Sequence, residues 1–332
     1  MKKLTAVLLA LVLLSGCAAV PGEVTEPLSQ PSQPSLSETS AETSSETSAE
    51  TSSGISAETP SVSLPEGAGL ISLSSYTVRP GGYIVVTAQG AGGAFGFSDM
   101  FGVEREMTQT ESGVYVCLVP VRASCEPGDY PLTIEGGGLS FYGVVTVEPR
   151  VFEQQTITFD DTVVAETINS KEANAEYYNK INALKYESVP EKLWEGGFVL
   201  PLRTKYTLSS SFGLLRTYIY TDGKKSDRHM GLDMAVTEGT PVYASNSGKV
   251  LFAGFLQLTG NTVLIEHGYG LKTWYYHMSE IYVSAGDMVE KERQIGAVGS
   301  TGFSTGPHLH FAASVNDINI DPEILLSAEP AL

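Results

Sequence analysis

The apolar positions of this chain change period several times, and each change marks a different kind of segment. Residues 4–14 are an apolar run, interrupted only by Thr5, behind Lys2 and Lys3, ending at Leu14-Ser15-Gly16-Cys17. From residue 18 to about 65 there is no apolar face; residues 37–52 are four copies of a Ser/Ala-Glu-Thr-Ser tetrapeptide. Such a segment buries too little to offset its ordering entropy, and disorder is predicted. Between about 70 and 149, short β-type runs at 83–88, 113–121, 130–135 and 140–148 alternate with Gly and Pro turns, which predicts a small β-sandwich. The period then becomes helical: Asn169 and Glu172 form a capping pair, and Tyr177 or Tyr178, Ile181 and Leu184 follow on one face. One helix over about 170–186 is predicted, its aromatics serving packing, stopped before Pro190. The remainder, from about residue 196, is strand and turn, with strands predicted at 240–244, 248–253, 261–266, 272–277, 294–298 and 308–314.

Two of these strand-like segments carry chemistry on one face. In His308-Leu309-His310-Phe311, alternation puts both imidazoles on one side and both apolar residues on the other. In the segment from His229 to Ala235, Met230, Leu232 and Met234 share one face while His229, Gly231 and Asp233 share the other. If the two strands lie close in one sheet, His229, Asp233 and His310 converge on one ion. Two imidazoles and a carboxylate leave the fourth tetrahedral position open, as a catalytic rather than a structural zinc requires. The chain has five histidines, and three fall in these two segments. A third segment, from Trp274 to Ser279, reads as a strand with Tyr275 and His277 on one face, and His277 is expected to approach from the opposite wall of the groove. His308 and His310 stand roughly 6.5 Å apart as same-face neighbours, too far for both rings to ligate one ion undistorted.

The H-x-x-x-D of His229 and Asp233, the Y-x-H-M-S from Tyr275 to Ser279, and the G-S-T-G-x-S-T-G-P-H-L-H-F from Gly299 to Phe311 occur in that order. Together they resemble the lysostaphin-type (LytM-like) zinc endopeptidases of bacterial cell walls, over about residues 198–322. The resemblance implies a β-barrel-sandwich hybrid (duplicated hybrid motif) with a groove across an antiparallel sheet. It also implies Zn2+ on His229, Asp233 and His310, a peptidoglycan peptide as substrate, and catalytic roles for His308 and His277. His308 would be the base and His277 its partner or oxyanion stabiliser; the sequence alone permits the reverse. His267 matches a family turn and is read as structural. One departure is Glu292, where the pattern has a glycine before Ile295-Gly296.

Composition fixes the setting. The basic start, short apolar run and L-S-G-C ending resemble a bacterial lipoprotein signal, which implies a mature chain beginning at lipidated Cys17 and a membrane partner. Between residues 18 and 66 there are eight glutamates and no Lys or Arg, so the tether carries −8 of the net −18. A flexible tether of that length has a coil size of about 35–40 Å. Such acidity excludes nucleic acid as a partner, since phosphate binding needs a basic surface. The expected organisation is a signal peptide (1–16), a tether (17–66), a β-sandwich domain (67–150), a helical connector (151–195) and a peptidase domain (196–332), mainly all-β. Cys117 and Cys125, the thiols left after Cys17, permit either a disulfide or two buried free cysteines. Two other readings remain open: a non-catalytic regulator of another wall hydrolase, and a wall-anchored binding protein whose work lies in the sandwich.

Overall fold

The computed structural model describes residues 70–90, 94–158, 170–220 and 223–331. The signal run, Cys17, the tether and Asn169 lie outside the described residues. Among the described residues the first unit has nine strands: β1 (Leu70–Leu73), β2 (Thr77–Val78), β3 (Tyr83–Gln89), β4 (Phe95–Ser98), β5 (Glu104–Glu106), β6 (Thr108–Gln109), β7 (Tyr115–Pro120), β8 (Gly128–Gly136) and β9 (Leu139–Val147). They form two sheets, ordered β1-β3-β7-β6 and β2-β9-β8-β4-β5. Ile84, Val86 and Ala88 from one sheet meet Phe95, Phe97, Leu132, Ile134, Val145 and Val147 from the other in a common core. This is the sandwich that alternation predicts. The short strands β1, β2 and β4 to β6 are too brief to show a period. Cys117 and Cys125 are free thiols, each half-buried where the second alternative had them buried, and desolvation pushes the Cys117 thiol up to about 12.

β3 is buried on both faces. Ile84 and Val86 point into the sandwich, whereas Val85, with Val116 and Leu118 of β7, packs against Trp194, Phe198, Leu271, Ala313 and Val315 of the C-terminal part. Arg150 fastens the same junction, with its guanidinium bonded to Asp321 and to the carbonyl of Pro80 at 2.9 Å.

The connector is more than a helix. β10 (Gln154–Thr158) comes first, then α1 (Lys171–Tyr186), capped by Ser170 rather than Asn169, with the Ser170 hydroxyl accepting from Ala173 N at 3.3 Å. Ile181, with Tyr177 and Leu184 beside it, packs onto Leu251, Leu264, Trp274 and Tyr276, so the helical stripe is packing as predicted.

The C-terminal strands are β11 (Thr207–Ser210), β12 (Leu215–Tyr220), β13 (Gly223–Arg228), β14 (Leu232–Ala235), β15 (Pro241–Tyr243), β16 (Gly248–Leu256), β17 (Gly260–Gly268), β18 (Leu271–Ile281), β19 (Met288–Val289), β20 (Gln294–Val298), β21 (His308–Val315) and β22 (Ile318–Ile320), closed by the short α2 (Pro322–Ser327). β10 runs parallel to β12 beside the β12–β13 hairpin. The rest build one antiparallel sheet with the path β11-β14-β21-β18-β17-β16-β19, extended by β15, β20 and β22. Its inner face buries Leu232, Met234, Val263, Ile265, Tyr275, Leu309 and Phe311. This mainly-β architecture agrees with the barrel-sandwich hybrid that the resemblance implies. Glu292 sits at φ +66°, the left-handed region where a glycine is easiest, which explains the family's preference at that turn.

Candidate active site

β14, β21 and β18 lie side by side, with Asp233 opposite His310 and His310 opposite Tyr276. Because Leu232, Met234, Leu309 and Phe311 are committed to the core, alternation leaves Asp233, His308 and His310 on the outer face. His229 reaches them from outside the strand. β14 begins only at Leu232, and His229 sits in the segment after β13, tied down by bonds from its N to Leu214 O (2.9 Å) and from Gly213 N to its carbonyl (2.7 Å). Gly231 is what allows the close approach: a Cβ there would meet the His310 ring at 2.7 Å. The sequence reading placed Gly231 on this face without seeing its purpose.

The three expected ligands do converge. His229 Nε2 lies 3.0 Å from Asp233 Oδ1 and 3.0 Å from His310 Nδ1, and His310 Nδ1 lies 2.8 Å from Asp233 Oδ1. All three residues are buried. His229 Nδ1 donates to the carbonyl of Ser211 at 2.9 Å, so in the neutral ring Nε2 presents a lone pair. Two ring nitrogens and a carboxylate oxygen thus share one small volume, an arrangement favoured when a cation sits among them. An N2O donor set with room for a further ligand suits zinc.

His277 stands on β18, next to β21 in the same sheet, not on an opposite wall. Nor does it share a face with Tyr275. Between the pairs Asn261↔Met278 and Val263↔Tyr275, β17 advances two residues while β18 advances three. The extra residue is absorbed by His277 at φ +63°, a bulge that breaks the alternation. Tyr275 consequently faces the core, and Tyr276 stacks on the His310 ring, centroids 5.1 Å apart and planes 4° from parallel. The period-two reading missed Tyr276 because it could not register an inserted residue.

His277 and His308 are neighbours, ring centroids 4.8 Å apart. His277 Nδ1 donates to Thr301 O at 2.8 Å, and His308 Nδ1 to Gly306 O at 2.8 Å with Ser304 Oγ also near at 3.3 Å. Each ring therefore holds its proton on Nδ1 and offers a bare Nε2. Both Nε2 atoms are buried and without a hydrogen-bond partner among the described residues. His308 Nε2 lies 3.8 Å from Asp233 Oδ1, next to the ligand cluster. Burial, helped by His308, lowers His277 to about 3, and burial lowers His310 to about 4 against the pull of Asp233. Burial opposes ionisation of Asp233, yet His229 and His310 together hold it well below the ordinary carboxylate range. An ionised Asp233 thus stands beside two rings, His277 and His310, that burial keeps neutral near pH 7. His267 is elsewhere and self-contained, bonded to Ser247 O (2.8 Å) and Thr273 Oγ1 (2.7 Å).

Residues 227–322 match the profile of Peptidase family M23. A peptidoglycan DD-endopeptidase of Vibrio cholerae, ShyA, is 40% identical over 111 residues, which are 33% of this chain and 25% of that protein. Lysostaphin of Staphylococcus simulans is 41% identical over 102 residues, 30% of this chain and 21% of lysostaphin. The chain thus spans about a quarter or less of the length of these two relatives. A crystal structure from Pseudomonas aeruginosa, described as a peptidase M23, superimposes with a TM-score of 0.54 at 25% identity, covering 75% of this chain and 94% of that one. The likeness extends well beyond the catalytic motifs. Residues 227–322 of this chain form a domain of peptidase family M23.

Proposed function

We propose that this chain is a zinc-dependent endopeptidase that hydrolyses peptide bonds in peptidoglycan stems or crossbridges. The observation that carries the reading is the pairing of a compact His229–Asp233–His310 cluster with two bare, buried imidazole nitrogens beside it. His229, Asp233 and His310 would hold zinc, which when bound polarises a scissile carbonyl and acidifies water. His308 is the base: its Nε2 is the nearer to the cluster, and its Nδ1–H is fixed by Gly306, so the ring accepts a proton at Nε2 without turning. His277, held the same way by Thr301, is a second acceptor and becomes a donor to a developing oxyanion only after taking a proton. Tyr276 and Gly231 position His310. The non-catalytic reading is not favoured, since all five positions carry side chains chemically competent for these roles.

The family and the activities of its relatives support the substrate class. The setting is proposed from sequence: an extracytoplasmic protein, lipid-anchored through Cys17, whose acidic tether lifts the domain toward the wall. Cys17→Ser is expected to move the protein out of the membrane fraction. The decisive test is digestion of purified peptidoglycan. His308→Ala should keep its zinc and its fold and lose at least about 10²-fold in rate, the scale of removing a general base. Normal digestion by this variant would end the proposal.

A further inference from the structure

Arg216 of β12 is buried, 7% exposed, yet no carboxylate contacts its guanidinium in any ion pair found among the described residues. Its Nε donates to Gln155 Oε1 at 3.1 Å and one terminal nitrogen donates to Ser210 Oγ; the other, Nη1, has no hydrogen-bond partner among the described residues. The phenol of Tyr218, also buried, feels the same charge. This buried guanidinium is held by three neutral groups, Gln155, Ser210 and Tyr218, with Asp227 across the strand pair, and its one nitrogen without a partner among the described residues is costly as it stands.

Its place in the sheet gives that cost a use. Ser210 is the cross-strand partner of Asp233, so the two side chains share the outer face. Cross-strand Cβ atoms lie about 5 Å apart, and Arg216 stands one hydrogen bond beyond Ser210. The guanidinium therefore lies roughly two to three extended peptide residues, at ~3.3 Å each, from the ligand cluster. The neighbouring Ser211 carbonyl is the group that orients His229, so this corner is continuous with the site. A planar fork of N–H donors is the partner that carboxylates select.

We propose that Arg216 is a specificity residue that receives a carboxylate of the substrate peptide, two or three residues from the scissile bond. This rests on the peptidase reading above and narrows it to peptides that carry a free acid near the cut. The acid could be a terminal α-carboxyl or an acidic side chain; both present the same two oxygens.

The test uses four synthetic stem-type peptides: both carboxylates free, the terminus amidated, the side chain amidated, and both amidated. The wild-type protein is expected to favour a free carboxylate by about 10–100-fold in kcat/KM, the scale of a charge-assisted bond. The two singly amidated peptides show which carboxylate is read. Arg216→Gln should erase the preference by lowering kcat/KM on the carboxylate peptides toward that on the doubly amidated one. Arg216→Lys, which keeps the charge and loses the fork, should retain only part of it and serves if Arg216→Gln does not fold. Calorimetric binding of the same peptides to metal-free protein should show the same order. Equal handling of free and amidated peptides by the wild type would overturn the inference and leave the peptidase reading intact. So would a preference that survives both substitutions. Cleavage of none of the four, with binding that still follows the carboxylate, would count against the peptidase reading and support this one.

Discussion

β18 carries a buried polar cluster at each end. At its start, Glu266 and Lys272 pair at 2.9 Å with both side chains fully buried; Glu266 Oε1 accepts from Gly270 N and Gly268 N, and His267 uses both ring nitrogens. At its far end, His277, His308 and His310 each leave Nε2 without a partner among the described residues, and His229, Asp233 and His310 crowd acceptors together. Burial and residue types are alike, but in the first cluster, shared with β17, the one atom without a hydrogen bond, Glu266 Oε2, is neutralised by the Lys272 ammonium, whereas the second leaves three imidazole nitrogens bare. Buried polar groups are normally satisfied, so the second cluster is legible as a place for something else.

The comparison breaks most plainly under ligand removal. Asp233→Asn should abolish zinc retention and lower turnover by more than about 10³-fold, beyond the 10–100-fold seen when only outer partners of a metal site change. Elemental analysis and peptidoglycan digestion check this; full zinc retention would sink the ligand assignment. At the other end, Lys272→Met should do the reverse. It strands the Glu266 charge and should cost about 3–5 kcal/mol of stability, while whatever remains folded digests normally. Loss of activity without loss of stability would mean the two ends are coupled.

How much of this was readable beforehand depended on period. Leu309 and Phe311 announced the inward face of β21, and from them the outward set His308 and His310 followed. Asp233 followed likewise from Leu232 and Met234. His277 did not, because a bulge adds one residue and the alternation skips; the sequence reading gave its face to Tyr275 when the neighbour on the site is Tyr276. Arg216 was invisible for a different reason. Its strand, β12, was not predicted at all, and its role lies in contacts to β10 and β11, which no local pattern encodes. The sandwich was legible in its longest strands, and its docking through Val85, Val116 and Leu118 was hidden as ordinary β-type apolar residues.

The pH response separates the clusters more gently. Burial lowers His267 to about 4 in the folded protein, against about 6.5 when unfolded. The unfolded chain therefore binds the extra proton first, and stability is fully present above about pH 6.5 and is lost as pH falls toward 4. The shift corresponds to about 3 kcal/mol at its acid limit. His267→Gln should flatten that part of the stability curve in chemical unfolding with zinc bound, when the site imidazoles are held by the metal. An unchanged slope would show that His267 is not the group that titrates.

The smallest expected effect concerns strain. His277 at φ +63° and Glu292 at φ +66° both occupy the left-handed region, where an L-residue costs roughly 1–2 kcal/mol. At His277 the strain has a return, since the bulge turns the ring to His308; there a glycine would relax the backbone and delete the catalytic group. At Glu292 the side chain offers only an exposed contact to Arg203 at 3.4 Å, worth little in water. Glu292→Gly recovers the strain and gives back part of it through the greater freedom of glycine in the unfolded chain, about 0.4–1 kcal/mol. The net should be a stabilisation of about 0.5–1 kcal/mol, a rise of some ~2–3 °C in Tm for a unit of this size, with zinc content and turnover unchanged. A lower Tm would mean that the turn depends on the Glu292 side chain, and that strain is not confined to the catalytic end of the sheet.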